Sequence, residues 1–228
     1  MQKHHNEEDN PFSLSIGDLM AATLFVFVLL LSASLLKMKD QTDKLDQQNK
    51  TIKEITRKYE DDKEEILFSL QKHFGDQLTE WGAEIIPSKL CIRFSKQSMF
   101  ENNNPQLNLE FLSVLDDFFP KYISLLESHR HVIAEIRIEG HTSSIGSYFH
   151  NMKLSQERSR NVLEYCWELA DDKQREWMKL CVTANGLSYS HPILVDGIED
   201  ENKSRRVEFR ILTKSEESID KINDQLQK

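Results

Sequence analysis

The chain has 228 residues and a formal net charge of -9, enough for one ordinary domain with extensions but not for two large ones. Its acidic balance argues against nucleic acid as a partner, because phosphate binding needs a basic surface. Mean hydropathy is -0.55, yet nearly all the membrane-grade apolar character falls within the opening forty residues.

Residues 1–13 read as a short polar tail. Residues 14–36 are expected to form a transmembrane helix, since Leu19 to Leu36 is an uninterrupted run without charge. Extended back to Ile16, the run reaches the length needed to cross ~30 Å of hydrocarbon. A cleaved signal peptide would need a basic start, whereas "MQKHHNEEDN" is acidic and polar. One acid, Asp18, sits near the start of the apolar run. An ionised carboxylate inside a membrane costs at least about 2.5–3.5 kcal/mol. Two readings stand: Asp18 is an N-cap at the helix boundary, or it is a functional acid that titrates or binds a cation. More lysines follow the helix (Lys37, Lys39, Lys44) than precede it (Lys3), a flank bias that long translocated domains override.

Residues 37–86 are expected to be a helical linker. Met38, Leu45, Ile52, Tyr59 and Ile66 recur every seven residues, a half-filled seam consistent with weak pairing in a dimer or with a lone solvated helix. Pro87 breaks this texture. Leu90, Ile92 and Phe94 alternate as a strand. Helical periodicity runs from Leu107 to Leu126 with Pro120 inside it, a strand follows to Gly140, and a second amphipathic helix spans Leu154 to Leu169. "LCVTANGL" and "RRVEFRIL" read as a closing, hairpin-like pair of strands. The order β-α-β-α-β-β predicts an α/β sandwich over residues 87–213, with helices on one face of a mixed sheet. Residues 214–228 read as a polar, partly helical tail.

Cys91, Cys166 and Cys181 lack metal-ligand spacing; Cys166 and Cys181 are either a pair or buried free thiols. The eight histidines show no zinc-like spacing with acids or cysteines. "GHTSS" has no nucleophile-elbow context, so no enzyme, metal or cofactor is expected.

The stretch "IRIEGHTSSIGSYFHNMKLSQERSRNVLEYC" resembles the OmpA-like peptidoglycan-binding domain shared by MotB and Pal. Gly140, His141, Thr142, Gly146, Asn151, Leu154, Ser155 and Arg158 fall in register with that pattern. "ANGLSYSHPI" and "SRRVEF" resemble its later motifs, so the likeness covers about residues 88–213. It implies a peptidoglycan site formed by His141, Thr142, Ser143, Asn151, Leu154 and Arg158. Ser143 stands where the family has an Asp for the ligand's ammonium, and this exchange weakens binding by roughly 1 kcal/mol. Another acid, glycan contacts or avidity would offset that loss.

"GDLMAATLFVFVLLL" in turn resembles the membrane helix of MotB, ExbD and TolR. Tail, helix, linker and domain together are similar to the MotB-like subunits of Zorya anti-phage defence systems. The resemblance implies that Asp18 carries a transported proton or sodium ion. It also implies that a homodimer works inside a MotA/ZorA-like multi-spanning pentamer in the bacterial inner membrane. The N-terminus would be cytoplasmic and the C-terminal domain periplasmic. A flagellar-type stator and a passive membrane-to-wall anchor are the alternatives.

Overall fold

The computed structural model describes residues 11–95, 99–100 and 104–226. Most of the polar tail expected over residues 1–13 lies outside them. The chain divides into two compact units, Met1–Glu54 and Ile55–Lys228.

Helix α1, Pro11–Phe74, supplies the described part of the first unit and opens the second. Between Pro11 and Phe74 there is no further proline and one glycine, Gly17, so nothing in the sequence breaks the helix. It ends before Gly75, whose N–H donates to Gln71 O at 2.9 Å. In the first unit the apolar side chains from Ile16 to Leu36 are exposed. Among the described residues, this is the one helix long and apolar enough to cross a membrane.

In the second unit the last turns of α1 are part of a globular core. Ile66, Leu70 and Phe74, spaced four apart on one face, are buried. Phe74 meets Phe118 and Trp81 at ring separations of 5.9 and 5.7 Å. The expected linker over residues 37–86 therefore divides. From Ile55 onward it belongs to the domain, and its end contains a one-turn helix, α2 (Leu78–Trp81), and an edge strand, β1 (Ala83–Ile86).

The other main elements are β2 (Cys91–Phe94), α3 (Leu109–Ser128), β3 (Ile133–His141), α4 (Tyr148–Leu169), α5 (Asp172–Cys181) and β4 (Val182–Gly186). After a two-stranded hairpin, β5 (Leu194–Val195) and β6 (Ile198–Glu199), come the short α6 (Glu201–Ser204), β7 (Arg206–Thr213) and α7 (Lys214–Leu226). The main sheet runs β1-β2-β7-β3-β4. Only β3 and β4 are parallel; the other neighbours are antiparallel. This corrects the expected closing hairpin: β7 inserts between β2 and β3 and does not pair with β4. Seven of its eight residues are buried, as a central strand requires.

One helical feature also differs from expectation. Helix α5 was absent from the predicted order; a capping box between Asp171 and Gln174 starts it. Helix α3 contains Pro120, as the periodicity from Leu107 to Leu126 implied. All three cysteines are buried and free, so Cys166 and Cys181 do not pair. Burial pushes the Cys181 thiol up to about 11, which leaves it inert at neutral pH.

The two faces of the sheet differ in chemistry. Val207, Phe209 and Ile211 join the core, with the Phe209 ring 5.2 Å from Phe118 and 5.6 Å from Tyr122. The alternate residues Arg206 and Glu208 point the other way and are equally buried.

Candidate functional site

The site is built where α4 docks on the ends of β3 and β4. Gly140 and Gly186 are register partners on these strands. A Cβ on Gly140 would lie 2.5 Å from Ser155 O, and one on Gly186 would lie 2.3 Å from Gln156 N. Only glycine lets the helix backbone come this close. The loops leaving both strands are then tied together. Ser188 N–H donates to Ser155 Oγ at 3.0 Å, Thr142 N–H to Ser188 O at 2.9 Å, and Leu187 N–H to Gly140 O at 2.9 Å. Ser147 caps α4. Asn151, Leu154, Ser155, Arg158 and Ser159 form its buried stripe, the spacing of one helical face.

Arg158 is the centre of the site. It is 6% exposed. Its Nε and Nη2 both donate to Asn104 O at 3.2 Å, and its guanidinium lies 4.6 Å from the centre of the Phe100 ring. Burial, followed by repulsion from Arg205, lowers its pKa from 12.5 to about 10. It stays a cation at neutral pH, but a desolvated one that gains from an incoming anion. Arg205 Nη1 donates to Ser143 Oγ at 3.4 Å, so two guanidiniums and a hydroxyl converge. Asn151 Nδ2 donates to Ile145 O at 2.9 Å and holds the loop between β3 and α4. The same loop is gripped by an acid from β6. Ser144 N–H donates to Glu199 Oε1 at 3.1 Å, and Ser144 Oγ donates to Glu199 Oε2.

Of the residues singled out in the sequence, Ser143, Asn151 and Arg158 are brought to this corner. Leu154 is a buried apolar support on the same stripe. Thr142 is buried, and its backbone fastens the loop. His141 lies elsewhere: it alternates with Gly140, which faces α4, so its ring projects from the opposite face of the sheet. There it neighbours Glu139 and Glu208. Three residues of the site were missed. Arg205 is the first residue of the "RRVEF" motif and was within reach of the sequence. Phe100 and Glu199 arrive through tertiary folding, with no local signal.

In the first unit, Asp18 lies well inside α1, which begins at Pro11. This removes the N-cap reading, because a cap residue must precede the first helical turn. Thr23, five residues further along the helix, donates its hydroxyl to Met20 O at 2.9 Å.

Comparison with known proteins agrees with both units. The OmpA family matches residues 99–206. Zorya protein ZorB of Escherichia coli strain Crooks is 37% identical over 227 residues, covering 95% of this chain and 94% of its own. The chain belongs to the ZorB family. A second Zorya protein ZorB, from Escherichia coli O139:H28, is 27% identical and covers 92% of this chain and 83% of its own length. Among solved structures, a putative MotB-like protein from Desulfovibrio vulgaris aligns at a TM-score of 0.47 and 22% identity. That alignment covers 67% of this chain and 94% of that one. The ZorB likeness includes the apolar helix as well as the OmpA-family domain, so the Asp18 segment lies within the shared part of the family.

Proposed function

We propose that this ZorB-family chain is the wall-anchored, ion-carrying subunit of a Zorya anti-phage system. It would work as a homodimer with a MotA/ZorA-like multi-spanning pentamer. The observation that carries this reading is the position of Asp18, an acid inside an apolar helix and away from its end, in a chain that also carries an OmpA-family domain. A carboxylate held there is costly unless it takes a proton, binds a cation or faces a partner's polar cavity. The first two of these are steps of ion transfer. The C-terminal domain then lies in the periplasm, where peptidoglycan is, and the N-terminus in the cytoplasm.

The corner around Arg158 would bind the stem peptide of peptidoglycan. Arg158 supplies the fork for a ligand carboxylate, and Arg205 adds a second cation. Ser143 cannot offer the negative charge that the family's Asp gives to the ligand's ammonium. Glu199, held against the next residue, is the acid placed to do so.

Asp18→Asn tests the ion-carrying role, since it keeps shape and hydrogen bonding and removes titration. Cells carrying the variant should lose protection against phage while the protein stays in the membrane fraction. Undiminished protection would leave a passive anchor.

A further inference from the structure

The sheet face turned away from α3 and α4 holds a buried polar cluster that the proposed ligand site does not use. Glu139 and His141 on β3 and Glu208 on β7 are 5%, 2% and 0% exposed. Strand register sets Glu139 opposite Glu208 and His141 opposite Arg206. His141 Nε2 lies 3.8 Å from Glu139 Oε2 and 4.0 Å from Glu208 Oε2. Neither ring nitrogen of His141 has a hydrogen-bond partner among the described residues, a situation that costs about 1–3 kcal/mol per buried polar group.

The two oxygens of Glu208 are used differently. Oε1 accepts from Arg206 Nε at 2.5 Å and Arg93 Nε at 2.9 Å. Oε2, which faces His141, meets Lys89 Nζ at 3.7 Å and Cys91 Sγ at 3.8 Å, both longer than a strong hydrogen bond. One nitrogen and two carboxylate oxygens thus lie within 4.8 Å of one another, pointed inward and weakly engaged.

We propose that Glu139, His141 and Glu208 bind a divalent transition-metal ion, with Zn²⁺ the best match to one imidazole and two carboxylates. Small side-chain rotations would close the three atoms onto bonds of about 2.0–2.2 Å. His191, exposed on the loop after β4, has its ring centre 6.3 Å from that of His141 and is the nearest candidate for a further ligand.

Arg206, Arg93 and Lys89 face Glu208, and Arg137 interacts with Glu139 from the same strand. Arg206 and Arg93 stay on Oε1. The Lys89 side chain is 39% exposed and can swing into water as the ion enters. This surplus of positive charge makes the site weak and exchangeable, in the micromolar range rather than that of a structural zinc centre.

The full chain, purified in detergent and stripped with chelator, should bind Zn²⁺ at one ion per chain in equilibrium dialysis. Glu139→Gln should weaken binding by at least about tenfold with an unchanged circular dichroism spectrum. X-ray absorption of the zinc-loaded wild-type chain is independent of any variant's folding. It should read at least one imidazole with carboxylate oxygens at about 2.0–2.2 Å. No stoichiometric binding at micromolar Zn²⁺, a first shell of water oxygens alone, or affinity unchanged in a folded Glu139→Gln chain would each overturn the assignment.

Discussion

Arg158→Met should raise the stability of the ligand-free domain while abolishing its binding to isolated sacculi. The pKa of Arg158 falls from 12.5 to about 10, and each pKa unit is worth about 1.4 kcal/mol. Holding the cation in this corner therefore costs about 3 kcal/mol. The two hydrogen bonds to Asn104 O and the Phe100 contact return part of this. Methionine fills similar space, keeps an apolar contact with Phe100 and carries no charge. A net gain of about 1–2 kcal/mol is expected, or roughly 3–6 °C in Tm for a domain of this size. Loss of a charge-assisted, two-pronged contact to a carboxylate should weaken sacculus binding by at least about tenfold. Thermal unfolding and sacculus cosedimentation on the same preparations measure both effects. A lower Tm with unchanged binding would refute the reasoning: Arg158 would then be a clamp for the segment at Asn104, not a charge held for a ligand.

Three further outcomes follow from the fold. Burial alone would raise the pKa of Glu208, but Arg206 chiefly, with His141 and Lys89, holds it down from 4.5 to about 2. Its contribution, about 3 kcal/mol, is complete above pH 4.5 and is lost as pH falls toward 2. Urea midpoints should drop across that window, and less steeply in Glu208→Gln. Leu70→Ala empties a fully buried position and should cost about 2–5 kcal/mol in denaturant unfolding; a loss below about 0.5 kcal/mol would mean that the last turns of α1 are not part of the core. Gly186→Ala sets a Cβ against the backbone of α4. It should cost at least about 1–3 kcal/mol and reduce sacculus binding, whereas wild-type stability would show that α4 can shift freely.

What the sequence disclosed and what it hid follow from the range of the forces involved. Local periodicity placed α3, α4 and the strands around Ile92, Ile138 and Phe209, because alternation and 3.6-residue repeats are written in neighbouring residues. It could not say which partner buries an apolar position. Met38, Leu45 and Ile66 fall on one seven-residue seam, yet Ile66 is sealed in its own domain's core while Met38 and Leu45 are exposed. Nor could it order the strands: β7 is last in sequence and central in space, a pairing that depends on chain closure over long distances. Two signals were legible and passed over. Strand alternation from Gly140 already sends His141 to the face opposite α4, and Pro11 is a favoured helix-opening residue that moves the start of α1 ahead of Asp18. Asp18 and Arg158 share one property that local patterns do not measure. Each is a charge in surroundings that disfavour it, within an element whose apolar residues would fold as well without it. That unfavourable placement, more than any motif, is the ground on which we propose them as the residues that meet an ion and a wall fragment.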